Sequence, residues 1–294
     1  MFITSCGNSK QLAQRLARKL NVKYSPLTIS AFPDGDTYLK FNTAVRGKDV
    51  VLVQSFQPDP EKSLLSVIWA AETAKDLGAK KVILVAPYLA YLRQDKRFHP
   101  GEAVSSRIMA KHLNSCIDKI ITIDPHLHRY KSLKDIFTVP TVKLTANQLI
   151  GQYVKRRVKD PVIIGPDWES YQWAEAIARE IGCEHTVLKK TRFSSRRVAS
   201  RMVKDITLKG KNVIIVDDII STGKTMIEAL KKAKKAGAKS ITAIGVHGLF
   251  VEKGLEKMKK AGFDRVITTN CIEHPTNQID VAPSIAEALV GKKR

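Results

Sequence analysis

Two adjacent carboxylates, Asp217 and Asp218, are separated by Ile219-Ile220 from a hydroxyl- and glycine-rich run, Ser221-Thr222-Gly223-Lys224-Thr225. The run suits phosphate, because a turn of this composition that leads into a helix aims backbone N–H groups and a helix N-terminus at one point. The acids do not suit phosphate. They are better matched to sugar hydroxyls, or to a Mg²⁺ ion bridging to them. Together the residues suggest a sugar phosphate held by its phosphate at one end and its hydroxyls at the other. Gly223-Lys224-Thr225 also reads as the end of a P-loop, G-x-x-x-x-G-K-[ST], but Asp218 occupies the place of its first glycine, where backbone must hug phosphate. An ordinary acidic strand-to-helix turn is the plain alternative.

The elements that would position these residues follow from the flanking pattern. Val213–Val216 is a continuous β-branched run, which predicts a buried strand of a parallel sheet, and a helical pattern opens at Met226. Along the chain, strands alternate with helices, which argues an α/β fold with mostly parallel sheets. The pattern occurs twice. Gly47–Val53 is echoed by Gly210–Val216, Leu77–Val85 by Ala236–Ile244, Asp118–Asp124 by Asp264–Asn270, and Gly7 with Leu16–Leu20 by Gly165 with Ile177–Ile181. Four echoes in one order imply two similar domains in tandem, residues 1–143 and 144–294, divided near Val139-Pro140 and the helical pattern of Ala146–Val154. Where the second copy has its acidic loop, the first has Gln54-Ser55-Phe56-Gln57-Pro58. The spare copy is therefore free for assembly or a second ligand.

Composition bounds the class. The chain has 294 residues and ordinary hydrophobic content, with no apolar run of membrane-spanning length and no signal-peptide pattern at Met1–Gly7. Cys6, Cys116, Cys183 and Cys271 are far apart and form no C-x-x-C pair, which argues against a disulfide framework or a structural zinc site. A cytoplasmic protein is expected. The net charge of +22 invites a nucleic-acid reading, but much of it lies in helical lysine runs such as Lys231–Lys235 and Lys257–Lys260 with no interleaved aromatics. A solvated surface, or a field attracting a small anionic substrate, accounts for it without nucleic acid.

Other polar clusters sit where strands end. Phe32-Pro-Asp-Gly-Asp36 has the chemistry of a hairpin-like turn. Tyr91-Leu-Arg-Gln-Asp95 follows the strand Val82–Val85, at the edge where α/β sheets bind ligands, and His99–Ser106 caps a helix running toward His112. Asp124-Pro-His126 ends another strand and reads as metal ligands or as a satisfied polar cluster. Asp167 follows Ile163-Ile-Gly-Pro and reads as a ligand or a helix cap. Lys190 and Arg192 precede a Ser/Arg-rich segment, Ser194–Ser200, expected to be a mobile basic loop able to close over a polyphosphate.

The Val213–Thr225 stretch resembles the phosphoribosyl-pyrophosphate loop of type I phosphoribosyltransferase-like proteins. In order and across nearly the whole chain, the segments together resemble the ribose-phosphate pyrophosphokinase family. The motifs that carry the resemblance are Phe32–Asp36, Leu92–Asp95, Asp124–His126, Lys190-Thr-Arg192, Val213–Thr225 and His247-Gly-Leu-Phe250. The resemblance implies transfer of the β,γ-diphosphoryl group of ATP to O1 of ribose 5-phosphate. By position, Phe32, Asp34, Gly35, Asp36, Arg93, Gln94 and Asp95 would contact ATP. Arg192, Asp217, Asp218, Ser221, Thr222, Gly223, Lys224 and Thr225 would hold ribose 5-phosphate. His126 and Asp167 would bind Mg²⁺, and Lys190 and Arg192 would be catalytic. The resemblance also implies a dimer-based homo-oligomer, up to a hexamer, with ATP at a subunit interface. The chain departs from the family pattern at Asp36 (usually Glu), Ser221 (Asp), Lys224 (a small residue) and Trp168-Glu169-Ser170 (glycines). A non-catalytic partner of such a synthetase and a phosphoribosyltransferase of the same fold are the competing readings.

Overall fold

The structure, a computed structural model, describes residues 1–192, 198–203 and 206–291; for residues 189–192 and 198–202 it describes the backbone alone. Contacts divide the chain into two units, one of Met1–Leu144 with Cys271–Glu273 and the segment from Val281, the other of Thr145–Asn270 with His274–Asp280.

The first unit is a parallel five-stranded sheet in the order β1 (Phe2–Ser5), β4 (Asp49–Val53), β5 (Lys81–Ala86), β6 (Lys119–Ile123), β7 (Thr141–Leu144). Helices α1 (Lys10–Leu20), α2 (Pro60–Asp76) and α3 (Ser105–Cys116) cross over between strands. Strand residues such as Ile3, Val51, Leu52, Leu84, Ile120 and Ile121 are fully buried, as both faces of a parallel sheet require. Between α1 and β4 the chain makes an antiparallel hairpin of β2 (Leu27–Ala31) and β3 (Thr37–Phe41), a separate two-stranded sheet.

The second unit has seven strands in the order β10 (Val198–Met202), β9 (His185–Arg192), β8 (Pro161–Gly165), β11 (Asn212–Ile220), β12 (Ser240–Gly248), β13 (Arg265–Thr269), β14 (Asn277–Ile279). All neighbours are parallel except β9 and β10. Helices α4 (Asn147–Arg157), α5 (Tyr171–Ile181), α6 (Lys224–Lys235) and α7 (Gly254–Ala261) complete it. Its core gathers Val162, Ile164, Val213, Ile215, Met226, Leu230 and Met258.

The internal repeat has a topological counterpart. Strands β1, β4, β5, β6 and β7 correspond in order to β8, β11, β12, β13 and β14, and each unit places a hairpin before its second shared strand. In the second unit the hairpin joins the main sheet; in the first it does not.

Three expectations are revised. The strand foreseen over Val213–Val216 continues to Ile220, so Asp217 and Asp218 lie within it. Val198–Ser200, foreseen as loop, open β10 and pair with β9, while residues 194–197 lie outside the described residues. The C-terminal helix α8 (Ala282–Val290) groups with the first unit, where it packs on α1 and β7 and the Lys119 ammonium donates to the Ala288 carbonyl at 3.3 Å. Among the described residues, no helix is long and apolar enough to cross a membrane.

Candidate active site

In the second unit the chain leaves β8 for β9 on one side and returns as β11 on the other. That reversal opens a crevice at the C-terminal ends of β8 and β11, where open α/β sheets take ligands. Asp167 follows β8, and Asp217 and Asp218 lie within the last four residues of β11.

Asp218 is buried and Asp217 partly so. Loss of hydration, followed by the charges of Asp218 and Asp167, pushes the Asp217 carboxyl well above the usual carboxylate range. Asp217 Oδ1 accepts a hydrogen bond from the Asp218 N–H at 3.1 Å. The charges of Asp218 and Asp167 thus both act on Asp217, a crowding that sugar hydroxyls or a divalent ion would relieve. Asp167 is not the cap of α5, which is Ser170; the Asp167 side chain instead folds the turn between them. Its Oδ1 accepts from the Glu169 and Ser170 N–H groups at 3.1 and 3.2 Å, ahead of α5.

Only Ser221, Thr222 and Gly223 separate β11 from α6. A P-loop would have to begin at Asp218, inside the strand, which rules out that reading. Gly223 has φ +75°, and a Cβ there would stand 2.7 Å from Met258 Cγ, so both backbone conformation and space call for glycine. The turn rests on the start of α7. A Cβ on Gly254 would stand 2.6 Å from the Ser221 carbonyl oxygen. Phe250, Glu252 and Lys253, just before it, all have positive φ (49°, 52° and 60°), a concentration of strain typical of segments held by function. The Leu249 and Phe250 N–H groups donate to the Ile220 carbonyl at 2.9 and 3.2 Å, tying this strained run to the end of β11. Lys224 is the first residue of α6 and is exposed.

The side chains of Lys190 and Arg192 lie outside the described residues; their backbones belong to β9, with Lys190 opposite Ser200 and Arg192 opposite Val198.

The first unit carries the other candidates. Phe32–Asp36 is the hairpin tip, closed by Phe32 N–H to Asp36 O at 2.8 Å and Gly35 N–H to Phe32 O at 2.9 Å, with Gly35 at φ +95°. The Asp36 N–H donates to Asp34 Oδ1 at 3.1 Å. Phe32 is 51% exposed and meets Tyr38 edge-on at 5.6 Å. Beyond β5, Tyr91 sits at φ +66°, its hydroxyl bonded to Glu61 and pushed up to about 12 by burial and by the Glu61 and Asp59 charges. Arg93 is exposed. The Ser105 hydroxyl donates to Gln94 Oε1, which fixes the Gln94 side chain by its carbonyl oxygen. Asp95 differs from its expected role: its side chain is 1% exposed and its Oδ1 is 2.7 Å from an Arg129 guanidinium nitrogen, so it supports the segment instead of facing a ligand. Arg129 was not foreseen, since nothing local links it to a residue in another loop. His126 follows Asp124 (φ +37°) and stacks on His128 with ring centroids 6.3 Å apart. Among the described residues no group of three or more His, Cys, Asp or Glu forms a ready metal cage.

Comparison with known proteins defines the class. Residues 1–116 match the N-terminal domain of ribose phosphate pyrophosphokinase and residues 132–284 the phosphoribosyl transferase domain. The chain is 38% identical to the ribose-phosphate pyrophosphokinase of Methanothermobacter thermautotrophicus, covering 98% of this chain and 99% of the relative. It is 34% identical to that of Methanopyrus kandleri, over 98% of both. It superposes on the crystal structure of phosphoribosylpyrophosphate synthetase from Mycobacterium smegmatis with a TM-score of 0.86 at 26% identity, covering 99% of this chain and 97% of the other. These are tandem domains of the phosphoribosyltransferase type. The chain belongs to the ribose-phosphate pyrophosphokinase family.

Proposed function

We propose that this protein transfers the β,γ-diphosphoryl group of ATP to O1 of ribose 5-phosphate, giving phosphoribosyl pyrophosphate and AMP. The observation that carries the reading is the Asp217-Asp218 pair near the end of β11, a strand joined by a three-residue turn to the N-terminus of α6 where the strand order reverses beside β8.

Ser221–Thr225 takes the 5-phosphate on backbone N–H groups, hydroxyls and the helix N-terminus. Asp217 and Asp218 hold the ribose hydroxyls. Arg93, Gln94 and the tip Phe32–Asp36 take ATP, with Asp95 behind them. The O1 hydroxyl attacks the β-phosphorus, its proton is lost, the bond from that phosphorus to the AMP oxygen breaks, and AMP leaves. No side-chain nucleophile is needed, because placement in line and neutralisation of charge carry such a transfer. Lys190 and Arg192 supply that neutralisation. Mg²⁺ suits the site, since carboxylate oxygens are its preferred protein ligands and the charges of Asp218 and Asp167 already act on Asp217. His126 and Asp167 are the residues proposed to hold it, and when bound it shields the polyphosphate.

The exposed Phe32–Tyr38 pair, on a hairpin outside the main sheet, supports a homo-oligomer in which this tip completes a neighbour's ATP site. Four free cysteines, three of them buried, fit a cytoplasmic setting.

The test is incubation with ATP, ribose 5-phosphate and Mg²⁺, followed by nucleotide analysis. AMP is expected in equal amount to phosphoribosyl pyrophosphate; release of ADP, or no AMP above background, refutes the reading.

A further inference from the structure

The segment assigned to ATP is braced from behind by residues that the reaction itself does not need. The Tyr130 hydroxyl donates to the Asp95 carbonyl at 3.2 Å and shares a hydrogen bond with Ser106 Oγ at 2.8 Å. Ser106 Oγ also lies 3.1 Å from the Gln94 carbonyl, so the two hydroxyl protons serve two of these three contacts at a time. The Asp95 carboxylate, almost wholly buried, meets the Arg129 guanidinium at 2.7 Å, and that guanidinium lies over the Phe98 ring, 5.2 Å from its centroid.

Stability alone is a poor explanation for this pair. Only Oδ1 of Asp95 is engaged, while Oδ2 is buried with no hydrogen-bond partner among the described residues. A buried ion pair left partly unsatisfied gains little over apolar residues of the same volume. What the pair does provide is a rigid link. Asp95 directly follows Arg93 and Gln94, and Arg129 lies three residues beyond His126.

We propose that Asp95 and Arg129 are positioning residues, acting as one unit that holds the Arg93–Gln94 turn in its nucleotide-binding geometry and ties it to the loop carrying His126. The inference rests on the reading of Arg93 and Gln94 as ATP contacts. A bidentate-capable guanidinium cannot be replaced by a neutral amide without loosening that turn.

The experiment is a double-mutant cycle of Asp95→Asn and Arg129→Gln, with Arg129→Lys as the conservative variant and Arg93→Ala as a check on the site. Steady-state constants are measured for both substrates, and thermal melts are recorded in parallel. Each single variant is expected to raise KM for ATP about ten- to a hundredfold, as loss of an orienting partner does elsewhere, with KM for ribose 5-phosphate nearly unchanged. The double variant is expected to be no worse than either single, and Arg129→Lys to recover part of the loss. If Arg129→Gln fails to fold, the double variant, in which no carboxylate is left unpaired, supplies the measurement against Asp95→Asn. Additive effects, or lowered melting temperature with unchanged KM for ATP, overturn the inference. If Arg93→Ala raises KM for ATP while the pair variants do not, the inference alone falls; if Arg93→Ala has no effect, the ATP assignment falls and the inference with it.

Discussion

Gly254 and Ser221 are in backbone contact: a Cβ on Gly254 would stand 2.6 Å from the Ser221 carbonyl oxygen and 3.1 Å from the Thr222 carbonyl carbon. The first turn of α7 is therefore the floor of the proposed phosphate turn. Gly254→Ala should push that turn outward, since its own φ of −53° is helical and only space is at issue. The expected result is a KM for ribose 5-phosphate raised roughly tenfold or more, because displacements well under an ångström to an ångström are costly where groups must be aligned. KM for ATP should change little. Steady-state kinetics with each substrate varied in turn checks this.

Asp217 offers a separation of stability from function. Its carboxyl is held above the usual range by burial, then by Asp218 and Asp167, so the folded protein binds that proton more tightly than the unfolded chain does. The sign follows: the contribution to stability is full below the ordinary aspartate range and is lost as pH rises through the raised folded value. Asp217→Asn removes this loss, and its amide oxygen can still accept from the Asp218 N–H. In divalent-free buffer near pH 8 the variant should melt on the order of a few degrees higher than the wild type, with the gap closing toward acid pH. Its kcat/KM for ribose 5-phosphate should fall about ten- to a hundredfold with loss of a charged hydrogen-bond acceptor. Scanning calorimetry across pH, beside an AMP-release assay, tests both halves.

Titrating Mg²⁺ into the wild type should raise its melting temperature, because a cation bound only to the folded acids stabilises by mass action. The same titration on Asp217→Asn should give a smaller rise. Equal rises in the two proteins would place the ion away from this cluster.

Lys190→Ala should lower kcat by about 10³-fold or more, the scale on which a cation aimed at a transferring phosphoryl group acts, with a far smaller effect on KM for ribose 5-phosphate. A change confined to KM would assign Lys190 to ground-state binding.

The net charge of +22 should speed capture of polyanionic substrates. Raising KCl from low to several hundred millimolar is expected to lower kcat/KM while leaving kcat nearly constant, since screening acts on encounter and not on the bound state. Stopped-flow or steady-state measurements at fixed free Mg²⁺ decide it.

Much of the molecule was legible in the chain because its signals are local. The β-branched runs at Gly47–Val53 and Gly210–Val216, and the Asp-Gly turn at Asp34–Gly35, need only neighbouring residues to be read. Order alone disclosed the duplication. The acidic turn was legible for the same reason, since Asp217 through Thr225 are contiguous and their chemistry is complementary without knowledge of the fold.

What escaped depended on long-range contact. The extension of β11 to Ile220 is decided by β12, which offers partners as far as Gly248. Strand β10 forms where composition suggested loop because β9 presents an edge to pair with. Helix α8 lies late in the sequence yet groups with the first unit, as its apolar face packs on α1.

Composition, spacing and the repeat thus determined by themselves the α/β class and the tandem architecture, and placed the acids beside the Ser221–Thr225 turn, because strand, turn and helix preferences act over a few residues. The tertiary structure alone decided that Asp95 turns inward to Arg129, 34 positions along the chain, that Gly254 supports Ser221, and that the Asp167 charge opposes ionisation of Asp217. Those relations arise from burial and electrostatics between distant segments, which no local pattern encodes.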